Sequence, residues 1–167
     1  ILSLAVTAAD ADSGVEVVGD KCVLVDGKPF FPVGIYSASV DDFPKLVDAG
    51  FNLVHTYGWE GISGHDWGRE WLDAAHEHGL KALIGLYRPR VKSMQFERCI
   101  KRIGQYRDHP ALLAWHTMDE PGWEKEGDRG EEYMPAAYKF VKEHDTRHPV
   151  TAVVCHFADT RYFVDAV

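Results

Sequence analysis

Two adjacent carboxylates follow an apolar run in the second half of the chain. Residues 111–118 are mostly apolar and long enough for a buried strand, Asp119 and Glu120 come at the end of the run, and Pro121 prevents regular structure from continuing. In an α/β barrel, the side chains at the carboxyl ends of the strands form the active site. The sequence therefore predicts that Glu120 lies at the mouth of such a barrel, where its carboxyl group is available for chemistry.

Strands and helices alternate along the chain around this run. The predicted parallel strands are 29–36, 51–57, 80–87, 111–119 and 149–155, and the predicted helices are 41–50, 66–79, 93–107 and 131–144. Five strands separated by four helices indicate a parallel sheet with right-handed crossovers. The open, doubly wound alternative requires a Gly-x-Gly-x-x-Gly loop after its first strand, and the sequence has none there. We therefore predict an α/β fold, a (β/α)8 TIM barrel.

The length of the chain limits how much of a barrel it can form, and its N-terminal turn residues predict a hairpin before the barrel. A full TIM barrel needs about 250 residues, whereas this sequence has 167, so we expect a barrel truncated after strand 5 or 6. Short strands at 15–18 and 22–25 come before it, and Asp26-Gly27 is a strong hairpin signal. An N-terminal β-hairpin is therefore expected to open the domain. An exposed sheet edge would pair with the missing C-terminal half of the barrel or with another copy of the chain.

Composition and charge restrict the class of partner. The chain is 46% hydrophobic and 26% charged, as expected for a globular domain. Its net charge is −8 and it has no long Lys/Arg block, which argues against nucleic acid as a partner, since phosphates are neutralised by clustered cations. No apolar run approaches the roughly 20 residues of a membrane span. A neutral substrate such as a sugar fits this composition better.

The N-terminal residues and the cysteines bear on the compartment. Residues 1–14 resemble the end of a signal peptide running into small residues, which predicts a secreted or periplasmic protein; the alternative is a frayed tail. Cys22, Cys99 and Cys155 are odd in number and lie in separate elements. They therefore define neither a disulfide framework nor a zinc site, and we expect buried free thiols.

Several short motifs together resemble a known enzyme superfamily. They are the hairpin 26–29 leading into 34–36, the segment 49–52, the segment 78–81 and the run from Trp115 to Pro121. This ensemble resembles the cellulase-like and β-galactosidase-like (β/α)8 glycoside hydrolases, and the resemblance covers residues 15–167. It implies retaining hydrolysis of O-glycosyl bonds in an oligo- or polysaccharide, with no cofactor. Residues 15–167 would then be part of the catalytic domain of a glycosidase.

The resemblance also assigns roles at the site. Glu120 would be the general acid/base at the end of strand four, and the nucleophile would be a Glu at the end of strand seven, which this chain lacks. Asp119 stands where the superfamily usually has Asn. An ionised Asp can only accept hydrogen bonds, whereas Asn can also donate one. The usual contact with the sugar 2-hydroxyl is therefore expected to differ, and this chain alone is expected to be catalytically incomplete.

Other polar and aromatic residues are predicted to lie at the strand ends and to bind substrate with Asp119. They are Tyr36, His55, Tyr57, Tyr87, Arg88, Trp115 and His156. Aromatic faces can stack on sugar rings and polar tips can bind hydroxyls, but core packing is the alternative for each residue. We favour His55, Arg88 and His156 as ligands, because a polar group that closes a strand needs a partner. Trp59 and Trp123 fall in predicted loops. For each of them a platform for a sugar ring and a hydrophobic anchor are the two alternative roles.

Two other classes of function remain as alternatives. The first is a metal-dependent barrel hydrolase, but the one His-x-His pair, His76 and His78, ends a predicted helix, where residues two apart do not face each other. No set of metal ligands is therefore predicted. The second is a non-catalytic carbohydrate-binding barrel, in which Glu120 only forms hydrogen bonds. Loss of hydrolysis with retained sugar binding in Glu120→Gln would distinguish an acid/base from this second class.

Overall fold

The computed structural model describes residues 14–19, 22–56, 67–86, 91–92, 94–120 and 130–153. The strands are β1 (Val15–Val18), β2 (Cys22–Val25), β3 (Lys28–Pro29), β4 (Gly34–Tyr36), β5 (Leu53–His55), β6 (Lys81–Gly85), β7 (Leu112–Asp119) and β8 (Val150–Val153). The helices are α1 (Phe43–Asp48), α2 (Trp67–Glu77), α3 (Glu97–Tyr106) and α4 (Gly130–His144), and a 3-10 turn at Val40–Asp42 precedes α1.

The described strands form two sheets. β1, β2 and β3 make an antiparallel sheet, and β4 to β8 make a five-stranded parallel sheet in chain order. At least one described α-helix lies between each pair of consecutive parallel strands. The predicted alternation of strands and helices and the mixed α/β class are therefore confirmed.

The N-terminal hairpin follows from its turn residues. Asp26 and Gly27 both have left-handed backbones, with φ of 51° and 71°, and β2 and β3 pair on either side of them. Two successive positive φ angles define the turn whose twist matches a two-stranded ribbon, which is why Asp-Gly is favoured there. The hairpin predicted from this dipeptide is confirmed.

The predicted strand 29–36 is wrong as a single element. Pro29 ends β3 in the antiparallel sheet, and β4 begins only at Gly34 in the parallel sheet. Between them, the side-chain amide of Asn52 donates to the carbonyl of Phe31 (2.9 Å), and its oxygen accepts from the backbone N–H of Val33 (2.7 Å). These bonds satisfy backbone groups that a strand ladder would otherwise satisfy, so the chain can pass from one sheet to the other.

The core lies on both faces of the parallel sheet. The larger part packs between the sheet and the helices and includes Phe43, Val54, Trp71, Leu72, Ile84, Ile103, Leu112, Trp115, Met118, Ala137 and Val141. The smaller part joins the opposite face to the antiparallel sheet and consists of Val15, Leu53 and Leu113, with Val23, Val25, Phe30 and Leu83 packed against them. The antiparallel sheet therefore covers this second face, called the inner face below, near the amino ends of the strands.

Two irregularities in β7 decide which of its side chains face the helices. Against β6, Leu112 pairs with Ala82 and Ala114 with Leu83, so Leu113 is an extra residue. Against β8, the register shifts between His116 and Met118, so Thr117 is a second extra residue. Each bulge interrupts the alternation of faces. As a result Leu112, Trp115 and Met118, three residues apart, all belong to the helix-side core.

The remaining predictions about local structure have mixed outcomes. Helix α2 is followed by Gly79 in a left-handed conformation (φ 71°), as predicted for a helix-ending glycine. Cys99 is a buried free thiol, but Cys22 is exposed, because it lies at the first residue of β2 in the hairpin; Cys155 and residues 1–13 lie outside the described residues. In the described part of the chain, no helix has the length and apolar character needed to cross a bilayer.

Candidate active site at the carboxyl ends of the parallel strands

Glu120 lies directly after the fourth strand of the parallel sheet. Its backbone N–H donates to the carbonyl of Val153 at the end of β8 (2.9 Å), which fixes the chain at the sheet edge. The backbone of Glu120 is left-handed, with φ of 49°, and the residue is partly buried. This conformation costs a non-glycine residue roughly 1–2 kcal/mol, and such strain is often found at functional positions.

Two histidine rings from strands that are not neighbours meet on the inner face of the sheet at this end. The ring of His55 on β5 lies 4.6 Å from the ring of His116 on β7, although β6 separates their strands. Strands two apart in a flat sheet are separated by roughly 9–10 Å. The residue of β6 in register with His116 is Gly85, which has no side chain to fill the space between the rings. The two imidazoles therefore meet over β6 on the inner face.

Burial keeps both of these imidazoles uncharged. His55 is 3% exposed and His116 is 4% exposed. Burial lowers the pKa of His116 to about 4. Burial, followed by the like charge of His116, lowers the pKa of His55 to about 4, and Asp119 acts in the opposite direction. The pair is therefore neutral at neutral pH.

Tyr36 connects this histidine pair to the carboxylates. Its ring contacts His55 edge-on at 4.9 Å, and its side chain is 51% exposed. Burial, and after it the charges of Asp119 and Glu120, raise the pKa of the phenol. Tyr36, His55, His116, Asp119 and Glu120 thus form one group at the carboxyl ends of β4, β5 and β7.

The sequence-based site residues fall into three sets. Tyr36, His55, Asp119 and Glu120 come together as just described. Trp115 does not join them. Tyr57, Tyr87, Arg88 and His156 lie outside the described residues, as do Trp59 and Trp123.

The assignment of Trp115 to the mouth of the barrel is wrong. Its side chain is fully buried in the helix-side core, and its indole N–H donates to the carboxylate of Asp145 (2.7 Å). Simple alternation along β7 would place residues 115, 117 and 119 on one face. The bulges at Leu113 and Thr117 break that alternation and turn Trp115 toward α4.

The carboxylate of Asp145 accepts hydrogen bonds from several donors on the helix side of the sheet. Besides Trp115, Nδ1 of His148 lies 2.7 Å from its carboxylate, and the backbone N–H groups of Arg147 and His148 donate to it (3.0 and 3.2 Å). Burial alone would raise the pKa of Asp145, but the hydrogen bonds from His148 and Trp115 outweigh burial and lower it strongly. This charged group ties β7 to the turn that precedes β8.

His116 is a site residue that sequence reasoning missed. It lies on the inner face of β7, three residues before Asp119. Because of the two bulges, simple alternation along the strand does not predict which face its side chain is on. Gly85, the last residue of β6, was an available signal, since a strand glycine often marks the close approach of another group. His116 and His55, each in or near a strand end, are the groups that approach there.

The histidines on the helix side do not form a metal site. Among the described residues, no three or more His, Cys, Asp or Glu side chains are grouped to hold a metal ion. His76 and His78 are exposed at the end of α2. Nε2 of His109 lies 2.9 Å from the carboxylate of Asp73, and its Nδ1 accepts from the N–H of Ala111 (3.1 Å), so this histidine joins α2 to the start of β7.

The fold of this chain is similar to parts of solved structures of glycoside hydrolases. No family model and no curated protein sequence matches the chain. A glycosyl hydrolase family 2 member from Bacteroides cellulosilyticus DSM 14838 has a TM-score of 0.67 at 18% identity, over 92% of this chain and 23% of that one. The FMN-binding beta-glucuronidase from Facaelibacterium prausnitzii L2-6 has a TM-score of 0.58 at 16% identity, over 86% of this chain and 25% of that one.

A third solved structure extends the similarity to another family. Thermotoga maritima Cel5A, in complex with mannotriose, has a TM-score of 0.55 at 17% identity, over 75% of this chain and 48% of that one. Identities this low show a shared fold. The chain therefore has the fold of part of these glycoside hydrolases, and it spans between about a quarter and a half of their lengths.

Proposed function

We propose that this chain is part of the catalytic domain of a retaining glycoside hydrolase, with Glu120 as the general acid/base. The proposal is supported by the fold shared with glycoside hydrolases of two families. The observation that carries it is the position of Glu120, a partly buried carboxyl group directly after the fourth parallel strand and near the phenol of Tyr36, whose ring contacts the neutral His55.

The proposed chemistry uses Glu120 twice. It first gives its proton to the glycosidic oxygen as the bond to the sugar breaks, and it then takes a proton from the water that releases the covalent intermediate. The intermediate forms on a second carboxylate about 5–5.5 Å away. At the described carboxyl ends of the parallel strands, the only carboxylates are those of Glu120 and its chain neighbour Asp119. We therefore propose, as the resemblance implies, that the nucleophile is a Glu at the end of a seventh strand and that it is not among the described residues.

The remaining residues of the site are proposed to bind the sugar. Tyr36 offers an exposed phenol beside the carboxylates, and Asp119 accepts hydrogen bonds from hydroxyl groups. The residues Tyr57, Tyr87, Arg88 and His156 remain in this proposal as further ligands, because they follow the carboxyl ends of β5, β6 and β8 in the sequence. A neutral oligo- or polysaccharide is the proposed substrate.

Glu120→Gln tests the acid/base assignment. The amide cannot give or take a proton, so hydrolysis of aryl glycosides with poor leaving groups is expected to fall about 10²–10⁴-fold. Activated aryl glycosides should lose less in the first step, because their leaving groups need less protonation. Glu143→Gln, the same change at an exposed position of α4, is the control and should leave all rates unchanged. The protein for this test carries the complete barrel, and equal rates for the wild type and Glu120→Gln would exclude the assignment.

A non-catalytic carbohydrate-binding barrel is the second candidate. One observation favours it, namely that the two carboxylates at the described strand ends are neighbours in the chain and do not face each other from separate strands. In that case the wild-type protein binds oligosaccharides without cleaving any of them, and Glu120→Gln changes only the affinity. Calorimetric titration beside the hydrolysis assay distinguishes the two functions.

A further inference from the structure

Three aromatic rings form a row along the inner face of the parallel sheet. The row runs from His116 on β7, through His55 on β5, to Tyr36 on β4. The ring centroids are 4.6 and 4.9 Å apart, and the interplanar angle is 76° at both contacts. Edge-to-face contacts at these distances are favourable for aromatic rings. The orientation of each ring therefore depends on its neighbour.

The two ends of the row have different surroundings. His116 is 4% exposed, and its Nδ1 lies 3.4 Å from the hydroxyl of Thr151 on β8. Tyr36 is 51% exposed and lies near Asp119 and Glu120. Its phenol keeps its proton at neutral pH and can donate a hydrogen bond to a sugar hydroxyl. The row thus joins a buried imidazole to an exposed donor beside the carboxylates.

Core packing alone does not explain a histidine at position 116. Its Nε2 is buried and has no hydrogen-bond partner in the described part of the chain. A buried polar atom without a partner destabilises a fold, and a phenylalanine would fill similar space without that cost. A residue that costs stability at the centre of a candidate site is a candidate for a functional role.

We propose that His116 is a positioning residue, which acts through His55 to hold the ring of Tyr36 in the orientation that presents its phenol to the bound sugar beside Glu120. This inference rests on the glycosidase function proposed above. It adds to that function a residue that does not touch the substrate. The effect of His116 is therefore expected in substrate binding and in the titration of His55, with little effect on the bond-breaking step.

The environment of the histidine pair makes this role dependent on pH. The groups that face the pair are Tyr36 on β4, Leu83 and Gly85 on β6, Asp119 on β7 and Thr151 on β8, and Glu120, directly after β7, acts on Tyr36. Burial holds the pKa of both imidazoles at about 4, and a charge on one opposes a charge on the other. The row is therefore intact above that pH, and protonation of either ring introduces a buried charge that disrupts it.

A double-mutant cycle tests the coupling. In the protein that carries the complete barrel, KM and kcat are measured at pH 7 with a panel of p-nitrophenyl glycosides for Tyr36→Phe, His116→Ala and the double variant. Each single change is expected to raise KM about tenfold, the effect of one hydrogen bond to substrate. The double variant should be no worse than either single variant, because both changes remove the same contact. A KM that rises about a hundredfold in the double variant would overturn the proposal.

Two further variants separate positioning from packing. Thr117→Val is the matched control, because Thr117 is buried on the same strand and its hydroxyl donates to the carbonyl of Thr151 (3.0 Å), yet it makes none of the ring contacts; KM should not change. His116→Phe keeps a ring in place but cannot be charged. At pH 7, where the imidazole of His116 is uncharged, it should preserve KM; it should also raise the pKa of His55, as measured by NMR titration, because it removes the charge that distinguishes a histidine from a phenylalanine at low pH. If His55 titrates as in the wild type, the proposed contact is absent.

The design distinguishes this inference from the proposed function. If the wild-type protein hydrolyses none of the glycosides, or if Glu120→Gln hydrolyses them at the wild-type rate, the glycosidase assignment fails. The ring contacts are then read without substrate, from the NMR shifts of Tyr36 and His55 in His116→Ala and His116→Phe. Changed Tyr36 and His55 resonances in His116→Ala support positioning. Resonances identical to the wild type in both variants overturn it.

Discussion

Two non-glycine residues at the carboxyl edge of the parallel sheet have left-handed backbones. Ser37 follows β4 with φ of 54°, and Glu120 follows β7 with φ of 49°. Both positions flank Tyr36 or Asp119, so the strain lies where the candidate site lies. At Glu120 the N–H bond to Val153 holds the conformation in place. A glycine would adopt this backbone conformation at position 120 without steric cost. Glu120 is strained there, and we infer that the function of its carboxyl group offsets this strain.

The backbone strain at Glu120 can be measured by comparing two truncations. Glu120→Ala and Glu120→Gly both remove the carboxyl group, but only glycine adopts a positive φ without steric cost. We expect the Gly variant to have a free energy of unfolding about 1 kcal/mol higher than the Ala variant, from denaturant titration. The same pair at Glu143, within α4, should show the reverse order, because glycine destabilises a helix. Equal stabilities of the two position-120 variants would mean that the left-handed backbone carries no strain.

At the scale of elements, the sequence predicted those features that local chemistry determines. The hairpin depended on Asp26-Gly27, and each parallel strand was found within its predicted range apart from the first, which is split. That split depends on the side chain of Asn52, about twenty residues along the chain from the backbone it binds. No local pattern reveals a contact over that distance.

The candidate site was predicted only in part, and β7 shows the reason. Glu120 and Asp119 were accessible from the sequence because they follow an apolar run. The face of each earlier residue was not accessible, because the bulges at Leu113 and Thr117 come from pairing with strands on either side. Trp115 was therefore assigned to the wrong face and His116 was missed.

The buried contact of Trp115 gives an element-scale prediction with an internal control. Trp115 and Trp71 each bury an indole N–H that donates a hydrogen bond, but Trp115 donates to the carboxylate of Asp145 and Trp71 to the carbonyl of Ala38. Hydrogen bonds to charged groups contribute roughly 1.5–3 kcal/mol and neutral ones about 0.5–1.5. We therefore expect Trp115→Phe to lower the free energy of unfolding by more than Trp71→Phe, measured by urea denaturation. A smaller loss for Trp115→Phe would show that Asp145 is satisfied without the indole.

For the whole molecule, the histidine pair predicts how stability depends on pH. The pKa of His55 and of His116 is about 4 in the folded chain, against an ordinary value of 6.5. Between these values the unfolded chain binds protons that the folded chain does not, so the free energy of unfolding falls as the pH is lowered from about 6.5 to about 4. A shift of this size corresponds to a loss of about 3 kcal/mol for each histidine, if the two titrate independently.

Two other titratable groups, Asp145 and His109, also affect the dependence of stability on pH. Asp145, whose pKa is lowered on folding, contributes stability above its unfolded value near 3.8, and that contribution is lost only below it. Burial also lowers the pKa of His109, which adds to the slope in the same direction. Urea denaturation from pH 7 to 4 should therefore show a steep fall for the wild type and a shallower one for the double variant His55→Phe/His116→Phe. His78→Phe, which replaces an exposed histidine, should keep the wild-type slope. If the slope of the double variant matches the wild type, the pair is not buried in its neutral form, and the aromatic row cannot hold Tyr36 in the way proposed.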